Sequence, residues 1–378
     1  MRSILRHIVR FRSWLKVISF ICVFGLFMAY LAPFVHPNTL KILPFFGLAY
    51  PIILLFTLLL LILWGILRSR MALVIAAALL IGGKLHFRML AVGSEPETAP
   101  KDSACLKIMS YNVRLFGLYS FDKDERMRNR DSIFSYIRQV NPDVACFQEF
   151  YHQDKPTSFP TRDQLMDLIG FKEYHERYAH KLRGRQNFGV AILSKYPVIA
   201  KGDIIFDTQN EKDFNYCIYV DVLKNNDTFR IYNVHLQSIK LQQEDYSVFD
   251  KESLSKKESP SMIRLLIDKL RLAYPKRADQ ARKVSEHLAS CPYPSIVCGD
   301  FNDTPLSYTY NQFSRLLNDA YRTTSFGIGP TYVGKVPAGR IDYIFYSDGL
   351  NVVRFNIQKE PYSDHRAVSC SIFKDTFK

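Results

Sequence analysis

The pattern of apolar and polar positions divides the chain into two parts. Before about residue 94 apolar residues run almost without a break, in stretches from about Val17 to Val35, about Ile42 to Leu67 and about Met71 to Gly83. The first two meet the roughly 20 residues that a helix needs to cross a bilayer. The third does so only by continuing through Leu85 and Phe87. Three membrane-spanning helices are predicted, with two as the alternative. Beyond residue 103 the pattern changes to short, strand-length apolar runs that close on polar residues. These are Ile108-Met109-Ser110-Tyr111-Asn112, Val144-Ala145-Cys146-Phe147-Gln148-Glu149, Ile231-Tyr232-Asn233-Val234-His235, Ile296-Val297-Cys298-Gly299-Asp300-Phe301-Asn302, Arg340-Ile341-Asp342-Tyr343-Ile344-Phe345, and Tyr362-Ser363-Asp364-His365 ahead of Ala367-Val368.

Between them, Glu125 to Val140 carries Ile133, Phe134, Ile137 and Val140 at helical spacing, and Lys276 to Leu288 carries Ala278, Ala281, Val284 and Leu288. Both read as outer helices packed on a sheet face. Many short strands and few helices argue for stacked sheets in an α/β fold, not a doubly wound parallel sheet. The polar, proline-containing run from Ser94 to Asp102 reads as a tether. The predicted organisation is therefore a membrane anchor over residues 1–93, a linker over 94–103 and a globular domain over 104–378. The charged stretch from Ile239 to Tyr274 reads as an insertion, either a solvated loop or a flap over a site.

Charge modifies this picture in one respect. The net charge of +14 is concentrated at the front: ten basic and two acidic residues fall in the first hundred positions, which leaves the rest at only +6. Most of the excess is thus a topological signal and not a nucleic-acid footprint. Arg2, Arg6, Arg10, Arg12 and Lys16 could belong to a cleaved signal peptide, but no small-x-small site follows and a second apolar run comes at once, which favours an uncleaved anchor. Lysine and arginine near helix ends place the N-terminus and the Arg68-Ser69-Arg70 loop in the cytoplasm. Three spans then put the globular domain on the outer, periplasmic face of a bacterial inner membrane, and two spans put it inside. Lys84 and Arg88 count against three. Seven cysteines without a Cys-x-x-Cys pair predict neither a zinc site nor a disulfide framework.

The chemistry lies at the strand ends. In Gly299-Asp300-Phe301-Asn302 a carboxylate and a carboxamide stand two positions apart, and the glycine would admit close approach of a ligand such as a metal-bound phosphate. The ordered series Asn112, Glu149, His235, Asp300-x-Asn302, Asp342 and Asp364-His365 offers oxygen ligands for a hard cation and imidazoles for proton and charge handling.

From roughly residue 104 to 373 this series resembles the endonuclease/exonuclease/phosphatase superfamily, the DNase I-like phosphoesterases, with the motifs in the family's order. The resemblance implies a four-layered α/β sandwich, two mixed sheets packed face to face with helices outside, and an active site on one rim. It implies Glu149 as the principal carboxylate for Mg2+, or Mn2+ in its place, with Asn112 and Asp364 completing the metal environment. It makes Asp300 the base that orients and deprotonates water and Asn302 a holder of the phosphate or of the nucleophile beside it. By the same resemblance His365 contacts a phosphate oxygen with Asp342 behind it, and His235 supports the leaving oxygen or the transition-state charge. The stretch from Lys181 to Ser194 resembles the family's Gly-x-Ala-Ile-Leu-Ser strand; Arg185 and Asn187 ahead of it suit an anionic substrate, or form a solvated turn. The expected activity is a nuclease-like phosphodiesterase. A phospholipid or sphingomyelinase-like hydrolase working at the bilayer is the alternative, so the expected partners are a nucleic acid or phospholipid substrate and the bilayer itself. Both tryptophans, Trp14 and Trp64, lie in the apolar part, so the globular part lacks the pocket tryptophan of abasic-site repair enzymes. A non-catalytic scaffold would have lost at least one of Glu149, Asp300, Asn302 or His365, and all four are present.

Overall fold

The computed structural model describes residues 2–96, 104–118, 122–157, 159–182, 184–206, 215–239, 260–334 and 339–374. It divides into two compact units, one comprising Met1–Leu90 with Thr304–Asn311 and the other Ala91–Asp303 with Gln312–Lys378.

The first unit is helical: α1 is Arg2–Leu31, α2 Leu43–Ile66, α3 Met71–Ile81 and α4 Gly83–Met89. Trp64 Nε1 donates to Ser19 Oγ at 2.8 Å, and the rings of Tyr30 and Tyr50 lie 6.3 Å apart. The early part of α1 therefore meets the end of α2, and the end of α1 meets the start of α2, so the two run antiparallel. The third apolar stretch is not one helix. α3 and α4 meet at 68° at Gly82, where a Cβ would stand 2.3 Å from the Tyr30 ring, so the ring fills the space a side chain would need. α1 over Arg10–Leu31 and α2 are each long and apolar enough to cross a membrane, and the bent pair would count as a third span. Their outward faces are apolar, with Leu73, Leu80 and Ile62 all largely exposed.

Thr304–Asn311 joins this unit through Leu306, which packs with Leu26, Ala29, Tyr30 and Tyr50. His36 meets Tyr308 edge-on at 5.0 Å, and Arg88 Nη2 donates to Asn311 Oδ1 at 2.9 Å. Nothing in the sequence pattern separates this segment from its neighbours.

The second unit contains β1 Ala91–Val92, β2 Leu106–Asn112, β3 Val144–Gln153, β4 Glu173–Leu182, β5 Gln186–Ser194, β6 Val198–Ile204, β7 Tyr216–Lys224, β8 Asp227–His235, β9 Ser295–Asp300, β10 Asn318–Asp319, β11 Phe326–Gly327, β12 Asp342–Tyr346, β13 Leu350–Ile357 and β14 Val368–Lys374. They form two six-stranded sheets, β13-β14-β2-β3-β5-β4 and β10-β12-β9-β8-β7-β6, and a small ribbon of β1 with β11. In each large sheet one pair is parallel, β2 with β3 and β8 with β9, and every other pairing is antiparallel. The two sheets thus repeat one plan.

The predicted tether is partly structured. After β1, the Glu95 carboxylate accepts the backbone N–H groups of Arg354 at 2.8 Å and Phe355 at 3.2 Å. Residues 97–103 of the tether lie outside the described residues.

Helices complete the four layers. α5 Lys123–Val140 is capped by the Asp122 carboxylate at its start and by left-handed Asn141 at its end. With α6 Thr161–Ile169 it covers one outer face, where Ile133, Ile137 and Leu165 pack on Met109, Ala145 and Leu193. Helix Pro260–Ala289 lies on the other face, where Tyr232 Oη meets His287 Nδ1 at 3.1 Å. This helix begins inside the region read as an insertion and runs through Pro275. The correction has a physical cause. Ile263, Leu266, Ile267 and Leu270 continue the helical spacing upstream of the proline, so apolar periodicity outweighs the lost N–H. Residues 240–259 of the insertion lie outside the described residues.

Alternation along the strands leads directly to the site. One side of each central strand faces the opposite sheet: Leu106 and Ile108 on β2, Val144 and Cys146 on β3, Phe229 and Ile231 on β8, Ile296 and Cys298 on β9, Ile344 and Tyr346 on β12. Extended by the two-residue period, these stripes reach Asn112, Gln148, His235, Asp300 and Asp342. Because β2/β3 and β8/β9 are parallel pairs, their C-terminal ends share a rim, and the antiparallel β12 and β14 begin there.

Candidate active site

Asn112 closes β2 and joins two carboxylates. Its Nδ2 lies 3.0 Å from Asp300 Oδ2 and 3.5 Å from Glu149 Oε1, while its Oδ1 accepts the Arg114 N–H at 3.1 Å. Glu149 has the wrong parity to face inward from a regular strand. A bulge between Phe147 and Phe150, with Glu149 at φ 48°, turns it to the inner side. This left-handed backbone at a non-glycine residue is the kind of strain that concentrates at functional sites. Burial, with Asp364 and Asp300 nearby, pushes the Glu149 carboxyl above its ordinary pKa, against the pull of His235 and His365.

Asp300 ends β9 almost completely buried, and its Oδ1 accepts the N–H of Asn302 at 2.9 Å. Asn302 is left-handed at φ 53° and donates from Nδ2 to the Leu236 carbonyl at 3.1 Å. Gly299 makes room for a neighbouring strand. At φ 147° its missing Cβ would lie 1.9 Å from the Val234 carbonyl oxygen, so glycine is required for β8 to lie close.

His365 Nδ1 donates to Asp342 at 3.0 Å, leaving Nε2 3.6 Å from Asp300 Oδ2. Burial draws the His365 pKa down, but the carboxylates of Asp342 and Asp300 overcome it and hold the ring well above the ordinary histidine value. Asp342 is itself fixed from behind, since Thr331 Oγ1 accepts the N–H groups of Ile341 and Asp342 at 3.0 and 3.1 Å. Tyr332 closes over His365 edge-on at 5.0 Å.

His235 is 3% exposed, its Nε2 stands 3.8 Å from Asp300 Oδ2, and neither ring nitrogen has a hydrogen-bond partner. A buried imidazole with both nitrogens unpaired is costly unless a ligand completes it. Asp364 lies beside Arg114, with Oδ2 3.5 Å from Nε.

Eight of the ten sequence-derived site residues therefore lie on the shared rim. Arg185 and Asn187 belong to a different neighbourhood. Arg185 donates to the carbonyls of Asp154 and Pro156, and Asn187 Nδ2 donates to Asp154 Oδ1 at 3.2 Å. Both hold the turn after β3.

Sequence reasoning missed the residues that support the rim. Gln148 Nε2 donates to Asn233 Oδ1 at 2.6 Å, and Asn233 Nδ2 donates to the Phe147 and Ala191 carbonyls, both at 2.9 Å, which pins the two sheets together. Both residues lay inside the motifs, where a polar residue at an inward position was the available signal. Thr331 carried no such signal.

An oxygen-rich donor set suits a hard divalent cation. The unpaired His235 ring and the close carboxylates Glu149 and Asp300 fit one. Among the described residues, Asp300, Asp342 and His365 also bring ligand atoms within 4.8 Å of one another. Carboxylates, amides and a carboxylate-held imidazole on the rim of a two-sheet α/β sandwich define a phosphoesterase. Residues 109–365 match the Endonuclease/Exonuclease/phosphatase family, and the chain belongs to it. Residues 12–89 match a domain of unknown function (DUF8431), and no curated protein matches the chain.

Among solved structures, an endonuclease/exonuclease/phosphatase family protein from Bacteroides thetaiotaomicron is 17% identical with a TM-score of 0.51, covering 73% of this chain and 100% of its own. One from Leptotrichia buccalis is 17% identical at TM-score 0.49, covering 71% and 99%. The human Nocturnin catalytic domain is 18% identical at 0.49, covering 72% and 95%.

Proposed function

We propose that this phosphoesterase is a membrane-anchored, divalent-metal-dependent phosphodiesterase of nuclease-like type, with its catalytic unit on the outer face of a bacterial inner membrane. The observation that carries the reading is the buried His235 ring, both nitrogens unpaired, beside Asp300 on a rim shared with Glu149 and the Asp342–His365 pair. Glu149, with Asn112 and Asp364, would hold Mg2+ or Mn2+. A cation there neutralises phosphate charge and makes bound water more acidic.

The protein's own groups do the rest. Asp300, with one oxygen fixed by the Asn302 N–H and the other by Asn112, accepts the proton of the attacking water. Asn302 orients the phosphate. Asp342 fixes the His365 tautomer, so that Nε2–H points toward the reacting phosphoryl group and binds its growing charge more strongly in the transition state. His235 meets the leaving oxygen.

A second reading, hydrolysis of a lipid-borne phosphoester, is supported by α1 and α2, each long and apolar enough to hold the chain at a bilayer. The test is hydrolysis of bis-p-nitrophenyl phosphate by the full chain in detergent, with and without magnesium, beside Glu149→Ala. Turnover that requires both the metal and Glu149 is expected. Metal-independent turnover, or an unimpaired Glu149→Ala variant, would overturn the metal assignment. Parallel assays on plasmid DNA and phospholipid vesicles separate the two substrate readings.

A further inference from the structure

The strand that follows the last apolar helix is fastened down, and its outward face carries apolar side chains in the open. α4 ends at Met89, and β1 begins two residues later at Ala91. Successive residues then alternate. Ala91 is 1% exposed, whereas Val92 is 55% exposed. Gly93 lies on the short helix Ala320–Thr324, where a Cβ would come within 2.3 Å of the Arg322 and Thr323 carbonyl oxygens, and the Glu95 carboxylate accepts two N–H groups of β13. Opposite Val92 in the antiparallel β1–β11 ribbon stands Phe326, 78% exposed, with Ile328 just beyond it at 56%. Side chains directly opposed in such a pair share a face. The Phe326 backbone is fixed as well, its carbonyl accepting from Tyr321 Oη at 3.3 Å. Among the described residues of the second unit, no large apolar side chain is more exposed than Phe326. Apolar groups clustered in the open on a fixed backbone mark a surface that a partner covers.

We propose that the Val92–Phe326 face enters the lipid interface where the chain leaves α4, so that the second unit touches the bilayer through its own ribbon. The proposal rests on the membrane-anchored reading. Within the helical unit the Arg88 guanidinium lies 6.0 Å from the Phe34 ring, which puts the end of α4 beside the turn between α1 and α2, where two spanning helices reach the membrane surface. A chain advances at most about 3.6 Å per residue, so the four residues from Arg88 to Val92 span no more than about 14 Å. The headgroup layer is about 5–7 Å deep on each side of a bilayer, so reach alone brings Val92 to it or just beyond. Covalent connection thus selects the occupant. The apolar face that lies nearest in the chain to the spanning helices is offered to the lipid they cross, and the stapling by Gly93 and Glu95 presents it without a flexible link.

The test uses the full chain in vesicles of phosphatidylethanolamine and phosphatidylglycerol, with the partly exposed cysteines removed as Cys22→Ala and Cys291→Ser. Nitroxides are attached singly at Val92→Cys, at Phe326→Cys, at Asn225→Cys in the exposed β7–β8 turn, and at Ile62→Cys on the outward face of α2. Collision with oxygen, which concentrates in lipid, is compared with collision with a nickel chelate, which stays in water. Phe326→Trp keeps an aromatic ring and is read separately by quenching from brominated lipid, over the wild-type signal of Trp14 and Trp64.

The Val92→Cys and Phe326→Cys labels are expected to favour oxygen, at a depth of about 5–10 Å, as apolar elements seated in the interface do. Brominated lipid should quench the tryptophan added in Phe326→Trp, and the Asn225→Cys label should favour the chelate. Preference for the chelate at both ribbon positions, with no added quenching in Phe326→Trp, overturns the proposal while an oxygen-favouring Ile62→Cys label leaves the anchor standing. Shielding of the ribbon labels from both reagents means that protein covers the face, and overturns the proposal too. An Ile62→Cys label that favours the chelate defeats the membrane-anchored reading and this proposal with it.

Discussion

Asp300 is the residue on which the site turns. Its Oδ1 is taken by the Asn302 N–H, and its Oδ2 lies near Asn112 Nδ2, His235 Nε2 and His365 Nε2 at 3.0, 3.8 and 3.6 Å. Removing it deletes the proposed base and the group that brings two imidazoles together. Asp300→Ala or His365→Ala is expected to lower kcat by about 10² to 10⁴. Asp342→Asn keeps the shape but no longer presents a carboxylate to His365 Nδ1–H, and it should cost less than removing the imidazole. Single-turnover kinetics beside circular dichroism would check this, and unchanged rates in folded Asp300→Ala and His365→Ala would refute the assigned roles. Glu149 shows how local backbone serves chemistry. Its strained left-handed conformation delivers a side chain that strand parity would send outward.

At the scale of elements, α6 docks on β3 through His152. The buried ring accepts the Arg162 N–H on Nδ1 at 3.3 Å, and its Nε2 lies 3.7 Å from Asp154 Oδ1, so the neutral tautomer with Nε2–H fits this position. Burial, aided by the Arg162 charge, pushes its pKa down from 6.5 to about 4. Between those values the unfolded chain binds a proton that the folded one does not, so stability rises with pH across that window. His152's contribution is complete above pH 6.5 and fades as pH falls toward 4. Chemical denaturation at pH 7 and 4.5 should show wild type losing more stability than His152→Gln. Equal losses would sink this account.

The elements themselves were largely legible. Two-residue alternation in runs such as Ile108 to Asn112 and Ile296 to Asp300 gave both the strands and the polar ends that meet at the rim. What escaped depends on non-local contacts. β1 exists because Phe326–Gly327 lies beside it, and Thr304–Asn311 joins the helices through Leu306, neither of which any local period announces. Arg185 and Asn187 had suitable chemistry, and only the fold reveals their hold on the Asp154 turn.

For the whole molecule, the course of the helices bears on which phosphoesters the site can meet. Leu15, Trp64 and Met71 share a cluster, which puts the early part of α1, the end of α2 and the start of α3 at one end of the helical unit. The Arg88 guanidinium lies 6.0 Å from the Phe34 ring, which puts the end of α4 beside the α1–α2 turn at the opposite end. The bent pair thus returns to the far end despite its break, as a third span would. Arg10, Arg12, Lys16, Arg68 and Arg70 fall at the first end, and Lys41, Lys84 and Arg88 at the second, so the prediction is that the denser cluster faces the cytoplasm. The chain enters the catalytic unit at Ala91, directly after α4. Asn38→Cys and Ser69→Cys, each in a Cys291→Ser background, would test this in spheroplasts with a membrane-impermeant maleimide. Asn38→Cys is expected to label from outside, and Ser69→Cys only after permeabilisation, with external protease degrading the catalytic unit. If Ser69→Cys labels, and the protease acts, only after permeabilisation, the chain makes two passes in place of three, and the site then faces cytoplasmic phosphoesters.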